Sequence, residues 1–182
     1  PIVLPLAQSH LESSRLANGA RVTLDSSLVA LTRTEGLATR RLSTEAGWEK
    51  PWIGGIGDEV RLRFSVRGDL YYYDGDPESL SSSGGEGSAG RLVPRATVDW
   101  RWPLIGEAGA WQHVVEPVVS VNAAPYGLND NAIPNEDSRV FEFDETNLFE
   151  ADRFTGLDRV DEGLRVAYGL RFSSYGPPPL IV

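Results

Sequence analysis

From Glu59 to Asp69 the chain alternates with period two: Val60, Leu62, Phe64 and Val66 fall on one face, and Arg61, Arg63, Ser65, Arg67 and Asp69 on the other. Successive side chains of a β-strand point to opposite sides, so this pattern demands a strand with one apolar and one charged face. The device returns at 91–102, where Leu92, Ala96, Val98, Trp100 and Trp102 oppose Arg95, Thr97, Asp99 and Arg101. It returns again at 163–173, where Leu164, Val166, Tyr168, Leu170 and Phe172 oppose Arg165, Gly169, Arg171 and Ser173. Weaker strands read at 2–13, 21–31, 41–49 and 111–123. Helical period is absent, and about seven strands result, each near the length of a tilted membrane strand.

Two all-β architectures suit such strands. In a secreted β-sandwich the apolar faces meet in a core and the arginines face water. In a transmembrane antiparallel up-and-down β-barrel the apolar faces meet lipid and the arginines line the lumen. Mean hydropathy is −0.25 and no run approaches the roughly 18 apolar residues of a membrane helix, which excludes helical spans but not a barrel.

The connections favour the barrel. They read at 14–20, 32–39, 50–58, 74–90, 103–110 and 124–162. The first, third and fifth are short or compact and rich in Gly and Pro; the fourth and sixth are long, and the fourth contains a low-complexity run from Ser79 to Gly90. In a meander alternate connections share an end, so short turns lie at one end and long loops at the other, as in outer-membrane barrels. Trp48 and Trp52 border the third connection, and Trp100, Trp102 and Trp111 the fifth. All five tryptophans therefore fall at one end, as an interfacial aromatic girdle would, with Tyr71, Tyr72 and Tyr73 at the other. A sandwich that binds carbohydrate through Trp100, Trp102 and Trp111 stays open as the alternative, as does a general porin.

Charge sorts with these elements. Residues 124–162 hold 11 acidic and 3 basic side chains, and 74–90 hold 4 acidic and none basic, whereas the remainder has 14 basic and 11 acidic. On the charged strand faces Arg61, Arg63, Arg67, Arg95, Arg101, Arg165 and Arg171 keep company with Asp69, Asp99 and Glu116. Burying a charge against lipid at mid-bilayer costs about 2–4 kcal/mol, so this set is expected to form a lumen-facing polar wall. A ladder of cross-strand ion pairs is its plain explanation. The sharper one is that surplus positive charge meets the anionic phosphates or carboxylates of a partner. The long 124–162 connection is expected to be extracellular and to fold back over the lumen.

No catalytic, cofactor or metal constellation is recognisable. His10 and His113 have no Asp, Glu or His at triad or ligand spacing, and His113 falls on the predicted lipid side near Trp111. Gly84-Gly-Glu-Gly87 is Ser/Gly low complexity, not a phosphate cradle. Glu136, Asp137, Glu142, Asp144 and Glu145 could offer carboxylates to Ca²⁺ or Mg²⁺, but without the spacing of a calcium loop a solvated or Arg-paired loop is preferred, with Arg153 and Arg159 the nearest partners. With no Cys, no Met and no signal peptide, the chain reads as a piece of a longer protein.

One stretch is specific. It reads Ile133-Pro-Asn-Glu-Asp-Ser138, Phe141-Glu-Phe-Asp-Glu-Thr-Asn-Leu-Phe149, Arg153-Phe-Thr-Gly-Leu-Asp-Arg159 and Gly163-Leu-Arg-Val-Ala-Tyr-Gly-Leu170. This series resembles the C-terminal barrel of the lipopolysaccharide-assembly LptD family in its alphaproteobacterial form. Arg67-Gly-Asp-Leu-Tyr-Tyr-Tyr73 and Leu31-Thr-Arg-Thr-Glu-Gly36 are similar to it as well. The resemblance implies that residues 1–182 are part of a much larger outer-membrane barrel that places lipopolysaccharide in the outer leaflet. It implies as partners lipopolysaccharide itself, an LptE-like lipoprotein plug, an LptA-like periplasmic bridge reached through an N-terminal domain, and the outer membrane, with no nucleic acid. It also marks Asn135, Glu136, Asp137, Asn147, Arg153, Gly156, Asp158 and Arg159 as family-motif loop residues. The cysteines of some members are missing, seven strands cannot close so large a barrel, and Pro177-Pro-Pro179 matches nothing in the family.

Overall fold

The computed structural model describes residues 2–32, 37–74, 86–138 and 147–176. Glu142, Asp144, Glu145, the 79–85 part of the low-complexity run and Pro177-Pro-Pro179 lie outside them.

Eight segments form a single antiparallel sheet: β1 (Ile2–Glu12), β2 (Arg21–Thr32), β3 (Ala38–Ile53), β4 (Glu59–Asp74), β5 (Glu86–Arg101), β6 (Leu104–Ala108), β7 (Trp111–Ala124) and β8 (Gly163–Tyr175). Neighbours in sequence pair in space from β1 to β5, β7 takes both β5 and β6, and β8 closes the order on the far side of β7. No helix occurs among the described residues.

The 103–110 connection, expected as a turn, is mostly strand. Arg101 faces Val118 and Leu104 faces Val115, so β5 and β6 keep one register along β7. Pro103 interrupts them because it has no N–H for the ladder, while the Trp102 N–H still reaches the Pro117 carbonyl at 3.1 Å. The turn shrinks to Gly109-Ala110, with Gly109 at φ +63°, a conformation that a two-residue hairpin turn needs and glycine adopts without a Cβ clash. Counting β5 and β6 together gives a seven-strand meander.

Register partners share a face, and the two faces differ throughout. One carries Leu24, Leu28, Leu42, Phe64, Val66, Leu70, Leu92, Val98, Leu164, Val166, Tyr168, Leu170 and Phe172, all exposed. No second sheet covers it among the described residues. The opposite face holds the buried strand residues Ser27, Thr39, Ser43, Arg67, Asp69, Tyr71, Val93, Thr97, Val118, Ser120, Asn122 and Ala167. The inside is polar and the outside apolar, the reverse of a water-soluble sandwich.

Candidate functional site

The charged face is covered by the described parts of the 125–162 connection, as expected for a loop that folds back. What binds it down is a set of arginines whose guanidinium groups donate to loop carbonyls and carboxylates. Arg67 Nη2 donates to Leu157 O at 3.2 Å, and Arg91 donates to Leu128 O at 3.3 Å, to Asp158 O at 2.9 Å and to Leu157 O. Arg95 holds Ala151 O and, at 2.7 Å, Asp152 Oδ2. Arg165 donates to Leu148 O at 3.3 Å and to Glu150 O, and Arg171 lies 5.8 Å from the Phe149 ring centroid. Planar guanidinium groups suit this role because each offers five donors in a fixed fork.

At the centre is a reciprocal carboxylate clamp. Asp137 accepts the N–H groups of Leu157 and Asp158 at 3.0–3.2 Å, and Asp158 accepts those of Glu136 and Asp137 at 2.7 and 3.1 Å. The two segments thus tie each other down without a strand ladder. Arg41 Nη1 joins both carboxylates at 2.5 Å, and Tyr71 donates its hydroxyl to Asp158 at 3.1 Å. Gly156 makes the approach possible: a Cβ there would lie 2.6 Å from the Asp137 carbonyl carbon. Burial pushes the Asp158 carboxyl up, against the opposing pull of Arg41. Burial also works to raise Asp137, but Arg41 and the two backbone N–H groups outweigh it and hold that carboxyl at about 2.

Smaller braces of the same kind surround the clamp. Glu162 accepts three consecutive N–H groups, those of Gly127, Leu128 and Asn129. Asn129 exchanges two hydrogen bonds with the backbone of Val160. Arg153 grips Asp161 with two guanidinium nitrogens at 2.6 and 2.8 Å, an interaction that holds the Arg153 charge and, against burial, lowers the Asp161 carboxyl. Asn135 Oδ1 accepts the Ser138 N–H at 3.1 Å, and Arg159 donates to Ile133 O at 3.0 Å. The Asn147 carbonyl accepts the Glu150 N–H at 3.1 Å. Ile133 and Val160 are buried beneath them.

The remaining strand charges pair within the sheet. Asp69 binds Arg91 at 2.7 Å and Arg67 at 3.3 Å, Arg63 binds Asp99 at 2.6 Å, Arg171 binds Glu116 at 3.2 Å, and Arg101 binds Glu59. Arg61 meets Glu59 two residues away on its own strand at 3.2 Å, not a cross-strand partner. Ser120 completes Asp99 at 2.7 Å. His10, read from sequence as lacking a carboxylate neighbour, sits 2.5 Å from Asp25 on β2, because register brings together residues that spacing does not. His113 lies on the apolar face stacked on Phe172, with ring centroids 5.9 Å apart.

The tryptophans lie toward one end of the sheet, though not at one level. Trp52 and Trp100 both face Val60. Trp48 stacks on Phe64 four residues inward, with centroids 5.8 Å apart. Trp100 and Trp102 donate their indole N–H groups to Asp58 Oδ2 and Ile56 O, both at 3.0 Å, and so pin the 54–58 turn. Because β6 is strand, Trp111 lies six residues beyond the Pro117 level of Trp102, roughly 20 Å along the strand.

Sequence reasoning missed Arg41, Tyr71 and Arg91. Two of them share parity with neighbours it named: Arg91 with Arg95, and Tyr71 with Arg67 and Asp69. Parity was the available signal; it needed carrying to the strand ends.

Among curated proteins no sequence is significantly similar to this chain. The family model LptD, described as LPS transport system D, matches residues 1–176, nearly the whole length. The chain therefore belongs to the LptD family.

Proposed function

We propose that residues 1–182 are a section of the C-terminal outer-membrane barrel domain of a lipopolysaccharide translocon, with the apolar face in lipid and the charged face as lumen wall. Family membership ties the chain to lipopolysaccharide transport at the outer membrane, and the family is one of transport and assembly, not catalysis. The observation that carries the placement is the inverted polarity: large apolar side chains stand exposed along one face while most of the buried strand residues on the other are Ser, Thr, Asn, Asp and Arg. A bilayer accepts that arrangement, because backbone groups are satisfied in the ladder and only apolar side chains meet the acyl chains.

The meander leaves the outer edges of β1 and β8 without a strand partner among the described residues. Such edges are not tolerated in hydrocarbon, which supports a larger, closed barrel in the full-length protein. In it Trp52, Trp100 and Trp102, within two residues of one level, would mark an interfacial zone. The charged wall with its loop would face an LptE-like plug and passing lipopolysaccharide, supplied through an LptA-like bridge.

The test is spin-label accessibility in the full-length protein reconstituted in liposomes, using this section's freedom from cysteine. Labels at Val66→Cys and Val166→Cys should be relaxed by oxygen, which concentrates in lipid, and a label at Ser65→Cys by a water-soluble nickel chelate. Equal relaxation of all three by the chelate would overturn the membrane placement, and labels at Val66 and Val166 shielded from the chelate and gaining nothing from lipid-dissolved oxygen would return the chain to the sandwich reading.

A further inference from the structure

On the apolar face the charged residues among the described strands are Arg40 and Lys50 on β3, Asp74 on β4 and Glu86 on β5. The two cations differ from those of the opposite face. There the strand arginines, from Arg21 to Arg171, are all in ion pairs. Arg40 and Lys50 join none among the described residues. Each lies over an aromatic ring instead: Arg40 is 5.7 Å from the Tyr72 centroid, and the Lys50 ammonium 5.1 Å from that of Trp52.

Their spacing is a second, independent observation. β3 and β4 keep one unbroken register from Ala38–Asp74 to Ile53–Glu59. Arg40 and Lys50 therefore lie roughly 33 Å apart along one strand, at the rise of an antiparallel ladder. With a strand tilt of about 40° that becomes about 25 Å along the membrane normal, the height of the apolar band of an outer-membrane barrel. The rows between them, from Leu42–Leu70–Gly90 to Trp48–Phe64–Ala96, carry no charge on β3, β4 or β5. Asp74 and Glu86 face each other in the row beyond Arg40, and Trp52 and Trp100 both face Val60 in the row beyond Lys50. The cations thus stand at the two borders of an uncharged belt.

Guanidinium and ammonium groups only donate, so each needs an anion or water to satisfy it. At the border of a bilayer the anions at hand are lipid phosphates, and an aromatic ring holds the apolar stem of a long cation at headgroup level. We propose that Arg40 and Lys50 each dock the headgroup phosphate of an anionic membrane lipid, one in each leaflet. The proposal rests on the membrane placement above and adds to it the class of lipid and the residues that select it. Asp74 and Glu86 should weaken the preference at Arg40, whereas Lys50 has no acidic neighbour on its face among the described strand residues.

The test uses the full-length protein in liposomes of mixed phosphatidylcholine and phosphatidylglycerol. A bimane fluorophore is attached at Leu62→Cys, cross-strand from Lys50, at Leu70→Cys, one row inward of Arg40, or at Val66→Cys in the middle of the belt. One lipid or the other carries a nitroxide high on its acyl chain, and quenching reads which lipid lies beside the label. Phosphatidylglycerol should be enriched about two- to fivefold at Leu62, the range for one exposed ion pair. The enrichment should be smaller at Leu70 and absent at Val66. Lys50→Gln should abolish it at Leu62 and leave Leu70 unchanged, Arg40→Gln should do the reverse, and Lys50→Arg should retain it. No enrichment at either border, equal enrichment at Val66, or enrichment that survives the matching substitution overturns the proposal; the membrane placement stands in each case, because both lipids still quench. Quenching by neither lipid, as on a face covered by another protein chain, overturns both.

Discussion

The outer face of the sheet and the 125–162 loop reach stability by opposite means. Along the sheet, away from its edges, the backbone groups are spent in the ladder, while Phe64, Leu70 and Leu170 on its outer face stand 48–67% exposed. The loop has almost no ladder. Its backbone N–H groups are taken instead by Asp137, Asp152, Asp158 and Glu162, and Asp137, Asp152 and Asp158 in turn by arginines of the strands. The sheet therefore depends on the solvent on its far side, and the loop on a handful of named side chains. A single substitution should be felt very differently in the two.

The largest effect is expected at the clamp. Asp158→Ala removes the partner of Arg41 and Tyr71 and the acceptor of two N–H groups, in a side chain only 3% exposed. Breaking a buried charge pair by deleting one partner costs about 3–5 kcal/mol. The loop should detach while the strands stay paired. Hydrogen exchange in full-length protein should then speed up across 129–138 and 152–160 and stay slow across β3 and β4. Equal loosening of loop and strands would mean the two regions are one cooperative unit.

Next comes the face proposed to meet lipid. Val66→Arg places a charge near the middle of β4 on the apolar side and should cost about 2–4 kcal/mol of folding into liposomes. Ser65→Arg, one residue earlier on the charged side, should be nearly neutral. The ratio of folding midpoints in urea reads the contrast, and a reversed order would invert the assignment of faces.

Gly156→Ala should be milder. Its Cβ would press on the Asp137 backbone at 2.6 Å, and overpacking of this kind typically costs about 1–3 kcal/mol. Protease nicking near 155–158 should rise, less than in Asp158→Ala. No change would mean the two segments part easily.

How far the sequence carries also divides along this line. Alternation placed the strands because a two-residue period is imposed by the backbone and needs no knowledge of neighbours; β4 and β8 begin at the residues their patterns mark. Strand ends were less legible. Glu86–Gly90 reads as Ser/Gly low complexity but is strand, since β4 supplies Leu70–Asp74 as partners. Leu104–Ala108 follows a proline and contains a glycine, yet β7 holds it in register. In the loop the identity of the motif residues was legible and their geometry was not. Asp137 and Asp158 are 21 positions apart, and Arg41 precedes them by about a hundred, so no local spacing announces that the three meet.

The smallest predicted effect is the pH dependence of that meeting. Asp137 is held at about 2, below its ordinary value of about 4, so its anchoring is complete above the unfolded value and fades as pH falls from about 4 toward 2. Asp161, lowered by Arg153, adds in the same direction. Asp158 has the opposite sign: burial raises it, so its protonation as pH falls relieves a desolvated charge and partly offsets the loss at Asp137. The net result should be a shallow acid loosening of the loop, seen as faster exchange at 136–138 and 157–159 with the β4–β5 ladder unaffected. Asp158→Asn separates the two contributions. It keeps a side chain of the same size while removing the offsetting titration, whose window lies above about pH 4, so the loop should gain no protection as pH falls toward 4 while its loosening between pH 4 and 2 persists. Loss of the loosening between pH 4 and 2 would mean that Asp137 alone does not hold the loop to Arg41.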